Sequence, residues 1–256
     1  MNTLYTFGCS FTEDYNDLPL WRNSEQTLKQ VRRGYVHDFL GLEKFPNWTS
    51  QLADRLGYED KNCAAVSGYK TPDLKYITGN CNTSIRNSIS HFSDQYKEGD
   101  ILVIEWTFMT RFRLYDEQGG IMRSYVTNTE APVGLESVFD TIVINRSHPF
   151  WIDELFMNMK IINELAKAKK FHVFYWTIDN SILRHKLDEI KHDKRWLLND
   201  MVEHDRTYHD LIKQHYGGKT IEEETNGLIG DHHLGITAHN IMGKIFYDYI
   251  IQNLTL

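Results

Sequence analysis

Two short stretches of the sequence carry residue types that could perform nucleophilic chemistry. The first, Gly8-Cys9-Ser10-Phe11-Thr12, lies near the amino end and follows a β-rich run. A serine at a sharp turn after a strand can act as a nucleophile, because its own N–H and the start of a following helix can hold an oxyanion. Serine is also a common helix N-cap, so these residues alone leave both roles for Ser10 open. Cys9 could be the nucleophile instead, but adjacent strand residues point to opposite faces, which favours a packing role for Cys9.

The second stretch, Gly230-Asp231-His232-His233-Leu234-Gly235, lies shortly before the last helix-like segment. An Asp and a His two positions apart in a tight loop can place a carboxylate beside the imidazole Nδ1–H, and the other ring nitrogen can then take a proton. Asp231 could instead be a cap or turn residue, and His232 a solvated loop residue. Asp231, His232 and His233 together also offer three metal ligands. Further ligands would have to come from elsewhere, where the weak candidates are His37, Asp38 and His172.

Apolar patterning predicts the elements that must bring these two stretches together. Short β-rich or apolar runs predict strands at 3–9, 61–65, 101–106 and 171–178. Apolar residues at helical spacing predict helices at 47–56, 82–96, 151–168 and 236–254, and Gly57 is expected to end the first of them. Strands separated by helices indicate βαβ units and a parallel sheet, whose sites lie beyond the carboxyl ends of the strands. Both stretches are therefore expected to meet on one edge of the sheet, as a Ser10–His233–Asp231 triad.

Three segments do not fit this alternation and are interpreted as insertions in a single domain covering residues 1–256. They lie at about 14–41, 108–150 and 179–216. Within the second, Arg111 to Val126 resembles a hairpin with its turn at 117–120. The third is long, helical and highly charged. It could be a lid or a partner surface, and a solvated face is the default interpretation.

Composition limits the class of protein. The chain has 256 residues, and 28 Lys and Arg against 35 Asp and Glu give a net charge of −7, which does not favour binding to a nucleic-acid backbone. A hydrophobic fraction of 41% argues against disorder. The three cysteines form no CxxC pair and are expected to be reduced thiols. With neither a signal peptide nor a membrane span recognisable, a cytoplasmic protein is expected, or one in a host cell or virion if the source is a phage.

Three motifs, in order along the chain, resemble those of the SGNH hydrolases, also called the GDSL-type esterase and lipase family, and in particular a divergent branch with bacterial and bacteriophage members. The family's first block, Gly-Asp-Ser after strand one, corresponds to Gly8-Cys9-Ser10. Its second block, a Trp-rich helix followed by Asn, Ala and Gly, corresponds to 47–57 and 62–68. Its last block, an Asp shortly before a His, corresponds to Asp231 and His233, with His239 further on. The resemblance implies an α/β fold, a three-layer α/β/α arrangement around a parallel, flavodoxin-like five-stranded sheet.

The resemblance also implies an oxyanion hole built from the N–H groups of Ser10 and Gly68. The family's third block, Gly-x-Asn-Asp, is missing, and Glu105-Trp106-Thr107-Phe108-Met109-Thr110-Arg111 stands in its place. Thr107 or a backbone N–H would then have to replace the missing Asn, and the loss of one oxyanion donor typically costs about 10²–10³ in rate. Arg111 could bind a carboxylate or phosphate of the substrate, or pair with Glu105.

The resulting prediction is a serine esterase in which Ser10 attacks, His233 accepts the proton and Asp231 orients the imidazole. The expected substrate is an O-acyl ester, above all an O-acetyl ester, of a small molecule or glycan, and no cofactor or metal is required. An acyltransferase would use the same triad, because only the acceptor differs. The alternatives are a catalytically silent SGNH fold serving as a binding or structural module, for instance in a phage particle, and a metal-dependent phosphoesterase using Asp231, His232 and His233. The oligomeric state stays open.

Overall fold

Six strands are present in the part of the chain that the computed structural model describes, which is residues 1–9, 11–12, 32, 34–64, 81–116, 121–125, 131, 134–146 and 148–254. They are β1 (Thr3–Phe7), β2 (Glu59–Asn62), β3 (Ile101–Trp106), β4 (Phe112–Asp116), β5 (Ile121–Tyr125) and β6 (His172–Thr177). Four of them form a parallel sheet in the order β2-β1-β3-β6, and β4 and β5 form a separate antiparallel pair. The predicted mixed α/β class with a parallel sheet is confirmed.

The centre of the sheet is buried on both faces. Every residue of β1 and β3 is buried, which is the reason that β3 reads as a nearly continuous apolar run in the sequence. The register pairs Thr6 with Val103 and Phe7 with Ile104. Continuing that register beyond the end of β1 places Gly8 beside Glu105, the one charged residue of β3.

The described residues form four parallel strands, whereas five were predicted. The position beside β6 is occupied by a single parallel bridge between Tyr175 and Trp196. Tyr175 N–H donates to Arg195 O at 2.7 Å, and Leu197 N–H donates to Tyr175 O at 2.8 Å. The chain leaves the sheet directly afterwards, because Leu198 has a left-handed φ of 54° that extended backbone does not accept.

Six longer helices accompany these strands in the described part of the chain. They are α1 (Trp48–Leu56), α2 (Asn82–His91), α3 (Glu136–Arg146), α4 (Pro149–Lys169), α5 (Asn180–His192) and α6 (Ile236–Asn253). Shorter helical turns cover Gly34–Phe39, Ser93–Gln95, Tyr208–Asp210, Leu211–His215 and Ile221–Glu224. Gly57 ends α1 as predicted, with φ 68° and its N–H donated to Ala53 O and Asp54 O. The second predicted helix is shorter than expected, since α2 ends at His91 and a 3₁₀ turn follows.

The predicted hairpin is confirmed by the antiparallel pairing of β4 with β5, which runs from Phe112 opposite Tyr125 to Asp116 opposite Ile121. Its predicted turn, residues 117–120, lies outside the described residues. So does most of the predicted insertion at 14–41.

The insertion at 179–216 is not the solvated face that was its default interpretation. Trp196, Leu197 and Tyr208 are completely buried, and they belong to the same apolar cluster as the sheet. Charged residues of this segment lie at its surface, for example Arg184 and Asp205, which pair with each other and have side chains 58% and 80% exposed. The segment is therefore part of the core. Among the described helices, none is both long and apolar enough to cross a membrane.

Candidate active site

The turn after β1 is built on the buried carboxylate of Glu105. Thr12 N–H donates to Cys9 O at 3.0 Å and closes the turn. Glu105 Oε2 accepts from Cys9 N–H at 3.1 Å and from the Thr12 hydroxyl at 2.5 Å, and Oε1 accepts from Cys9 Sγ at 2.8 Å. Gly8 has to be a glycine here, because an added Cβ would lie 2.8 Å from Cβ of Glu105. One side chain of β3 thus fixes the backbone on both sides of position 10.

Cys9 is placed as a packing residue. Its side chain is completely buried, and burial, together with the charge of Glu105, raises the pKa of the thiol to about 12. A thiolate is the reactive form of cysteine, so this environment suppresses nucleophilic chemistry at Cys9. The geometry supports the interpretation that Cys9 points away from the site.

Residues of the second motif hold the other side of the same turn. Asn62, the last residue of β2, donates from Nδ2 to Thr12 O at 2.7 Å and to Thr49 Oγ1 at 3.2 Å. Its Oδ1 accepts from Ala64 N–H at 2.9 Å. The indole N–H of Trp48 donates to Phe11 O at 3.2 Å. These bonds anchor the turn to β2 and to the start of α1.

The loop at 230–235 presents an aspartate and a histidine that are bonded to each other. His233 Nδ1 lies 2.6 Å from Asp231 Oδ1, which also accepts the His233 backbone N–H at 2.9 Å. The loop is held by backbone bonds to the helical turn that precedes it, since Glu222 N–H donates to Asp231 O and Ile221 N–H donates to His233 O, both at 2.9 Å. The bond between Nδ1 and the carboxylate is the one that orients the histidine in a catalytic triad.

The two stretches from opposite ends of the chain meet in space. The ring of Phe11 lies 5.0 Å from the ring of His233, with the planes tilted by 34°. The ring of His209 also packs edge-on against the Phe11 ring, at 5.7 Å between ring centres. Residues Ser10 and Gly68 lie outside the described residues. Among the described residues of the first motif, Phe11 is the one whose ring contacts His233.

An arginine that the sequence did not single out completes the Asp231 site. Arg32 Nε donates to Asp231 Oδ2 at 3.1 Å, and the two side chains are only 7% and 1% exposed. Both carboxylate oxygens of Asp231 are thus engaged, Oδ1 by His233 and Oδ2 by Arg32. No local sequence pattern marks this pair, because its members are separated by most of the chain.

The pKa values of the pair reflect this arrangement. Burial raises the pKa of Asp231, but the hydrogen bond from His233 and the charges of His233 and Arg32 outweigh burial, and the pKa lies below its ordinary range. Burial lowers the pKa of His233, the bond to Asp231 opposes that effect, and the charges of Arg32 and Arg111 reinforce it. The ionised aspartate and the neutral imidazole are the protonation states that a general base requires at neutral pH.

Thr107 is engaged differently from what was predicted. Its N–H donates to Asn82 Oδ1 at 2.8 Å, and its carbonyl accepts from Asn82 Nδ2 at 3.0 Å. Its hydroxyl accepts from Arg111 Nη1 at 2.9 Å, and the residue is completely buried. These contacts use the groups that an oxyanion role would need, so they give no support to that prediction for Thr107. Asn82, at the start of α2, is a positioning residue that sequence reasoning missed.

Arg111 reaches the site from the segment after β3. Its guanidinium carbon lies 5.0 Å from the centre of the Phe108 ring, and its charge lowers the pKa of Glu105, of Cys9 and of His233. Burial outweighs this effect at Glu105, whose pKa stays raised. Both roles predicted for Arg111 draw on the same positive charge, which acts on Glu105 and on His233.

The neighbouring histidines have other surroundings. His232 is 85% exposed and its Nδ1 lies 2.7 Å from Glu222 Oε2, so His232 and His233 bind different carboxylates. Within the described ranges, no group of three or more His, Cys, Asp and Glu side chains is placed to hold a metal ion. His239, on α6, is buried and accepts the Trp48 N–H at Nδ1, at 3.1 Å, where it caps the first turn of α1. Burial lowers its pKa to about 3.

Comparison with known proteins finds no matching family model, no matching curated protein and no matching solved structure.

Proposed function

We propose that this protein is a serine esterase of the SGNH type that hydrolyses O-acyl esters, with Ser10 as nucleophile, His233 as general base and Asp231 as the residue that orients the imidazole. The observation that carries the proposal is the contact of Phe11 with His233. Ser10 directly precedes Phe11, and consecutive Cα atoms are about 3.8 Å apart. The bonded pair of Asp231 and His233 supplies the remaining parts of a triad.

In this mechanism the Ser10 hydroxyl attacks the ester carbonyl while His233 Nε2 takes its proton. Asp231, ionised at neutral pH, stabilises the imidazolium that forms. The N–H groups of Ser10 and Gly68 hold the oxyanion. His233 returns the proton to the leaving alcohol, and water then releases the acid from Ser10. The proposal includes an O-acetyl group on a small molecule or glycan as the substrate.

The finer description of the fold belongs to the same proposal. The strand order β2-β1-β3-β6 matches the first four positions of a flavodoxin-like sheet. The bridge at Trp196 stands where the fifth strand would lie. A three-layer α/β/α arrangement around this sheet would place the candidate site at the carboxyl ends of β1 and β3.

The test is Ser10→Ala assayed with p-nitrophenyl acetate. Turnover should be abolished while the circular dichroism spectrum is unchanged, and the same should hold for His233→Gln. Ser137→Ala, on the exposed side of α3, is the matched control and should keep full activity. Turnover by Ser10→Ala at the level of the unchanged protein would reject the assignment.

A second candidate is a catalytically silent binding protein with the same fold. The bonds of the Thr107 groups to Asn82 and Arg111 favour it, because the residue expected to supply the third oxyanion donor is engaged elsewhere and one such donor is worth about 10²–10³ in rate. A fluorophosphonate probe separates the two candidates. The esterase should be labelled at Ser10 and the silent protein should not.

A further inference from the structure

Arg32 is the third member of a buried charge cluster whose other members are Asp231 and His233. Its Nε lies 3.1 Å from Asp231 Oδ2, on the oxygen that His233 does not use. Taking a guanidinium and a carboxylate out of water costs several kcal/mol for each ion, and replacing a buried ion pair by apolar residues is often neutral or stabilising. A buried pair of this kind is therefore weak evidence for a purely stabilising role.

The position of Arg32 gives it two effects on the imidazole. By holding Oδ2, it fixes the plane of the carboxylate, and with it the direction in which Oδ1 meets His233 Nδ1. As a permanent positive charge beside the pair, it also opposes the arrival of a second positive charge on the ring. The first effect sets the geometry of the base and the second sets the pH at which the base is available.

We infer that Arg32 is a positioning residue for the proposed triad, which holds Asp231 in place for His233 and keeps the imidazole neutral in mildly acidic solution. The inference deepens the proposed function and rests on it for its catalytic meaning. The contacts among Arg32, Asp231 and His233 do not depend on whether the protein cleaves esters.

The groups that face His233 from each packed element decide the direction of the effect. Asp231, in the same loop, favours the protonated ring. Arg32 and Arg111, the latter from the segment after β3, both disfavour it. His239 of α6 is a fourth titratable neighbour, and His209 lies across the Phe11 ring. Since Arg32 is one of two permanent cations whose charges lower the pKa of His233, removing Arg32 should make the imidazole more basic.

The experiment compares Arg32→Gln and Arg32→Lys with the unchanged protein in the pH dependence of kcat/KM for p-nitrophenyl acetate. Gln can still donate to Asp231 Oδ2 but carries no charge, whereas Lys keeps the charge. The acidic limb of the profile should move up by roughly half to one pH unit in Arg32→Gln and stay in place in Arg32→Lys. Arg184→Gln, an exposed arginine paired with Asp205, is the matched control and should leave the limb unmoved.

A purely structural role predicts other results. It would lower kcat equally at all pH values, or move the limb equally in Arg32→Gln and Arg32→Lys, and either result would overturn the inference. If Arg32→Gln does not fold, the proton NMR titration of His233 in the unchanged protein, assigned by its loss in His233→Gln, decides the question: a pKa at or above the ordinary value of about 6.5 overturns the inference.

The same NMR titration separates this inference from the proposed function. A protein without ester turnover, in which the His233 pKa is low and rises in Arg32→Gln, would reject the esterase and keep the assignment of Arg32. A protein with Ser10-dependent turnover, in which the His233 pKa does not respond to Arg32→Gln, would keep the esterase and reject this inference.

Discussion

The ring of Phe11 lies against the ring of His233, at 5.0 Å between centres, although the two residues come from opposite ends of the chain. The contact joins the turn after β1 to the loop before α6. Each of the two segments is bonded to a buried carboxylate, the turn to Glu105 and the imidazole to Asp231. The two motifs thus contact each other through aromatic rings, and each motif is also bonded to a buried carboxylate.

Replacing Phe11 by Leu should disturb the imidazole more than it disturbs the fold. Leu keeps an apolar side chain but loses the ring pair, which is worth about 0.5–1.5 kcal/mol beyond the buried area. We expect the free energy of unfolding, measured in urea, to fall by about that amount and kcat for ester hydrolysis to fall several-fold.

Phe156→Leu is the control for Phe11→Leu, because it removes a comparable ring contact, with Trp196 at 6.0 Å, away from the two motifs. It should lower the free energy of unfolding to a similar extent and leave kcat and the NMR signals of His233 unchanged. Equal kcat values in the two variants would show that the Phe11 ring does not position the base.

Glu105 should be required for the turn after β1. Glu105→Met keeps the length of the side chain but removes every acceptor, and each buried donor left without one costs about 1–3 kcal/mol. The donors affected are Cys9 N–H, the Cys9 thiol and the Thr12 hydroxyl. Glu105→Gln keeps one oxygen and should be the milder change. The free energy of unfolding, measured in urea, should therefore be highest for the unchanged protein, lower for Glu105→Gln and lowest for Glu105→Met. Glu98→Gln, whose side chain is 73% exposed, is the control, and a Met variant as stable as that control would refute the role.

The elements that could be predicted from the sequence are those in which consecutive residues are buried and therefore apolar. β3 was predicted with its observed bounds because all six of its residues are buried. β2 was predicted two residues too late, since its residues Glu59–Asn62 are exposed or half-buried and carry no apolar pattern. The single bridge at Trp196 has no pattern either, because its position depends on the left-handed turn at Leu198.

The candidate site was predictable only in the parts that lie close together in sequence. The Asp231–His233 bond follows from a spacing of two within one loop. The ion pair of Arg32 with Asp231 depends on how the ends of the chain meet, and no local signal encodes that. Glu105 did carry a signal, since a charged residue within an apolar strand must find buried partners, and the register of β1 and β3 then indicates Gly8 and Cys9 as its neighbours.

Arg111 should discriminate between anionic and neutral esters. Its half-buried guanidinium bonds Thr107 and its charge acts on His233. In Arg111→Gln, we expect KM for a p-nitrophenyl ester that carries a free carboxylate to rise roughly tenfold, equivalent to ~1.4 kcal/mol, while KM for p-nitrophenyl acetate changes little. The measurement is steady-state kinetics with both esters. An equal rise for both would assign Arg111 to support of the Thr107 turn and not to recognition of charge.

His239 should make the stability of the protein depend on pH. Its folded pKa of about 3 lies below the value of about 6.5 for an unfolded chain. Between these values the unfolded state binds the extra proton, so the free energy of unfolding is lost as the pH falls below about 6.5, by up to ~1.4 kcal/mol per pH unit. His239→Asn can still accept the Trp48 N–H but cannot titrate.

The comparison that isolates this effect is urea unfolding of the unchanged protein and His239→Asn at pH 7 and at pH 5. The variant loses packing at both pH values, and that loss cancels when the two measurements are subtracted. What remains should be a relative gain of about 2 kcal/mol for the variant at pH 5, because only the unchanged protein has to keep His239 neutral against a protonated unfolded state. His185→Asn, on the exposed side of α5, controls for the loss of a histidine as such. The free energies of unfolding of His239→Asn and the unchanged protein could instead differ by the same amount at both pH values. That result would mean that folded His239 takes up a proton by pH 5 as the unfolded chain does, and the Trp48 N–H would then need another acceptor.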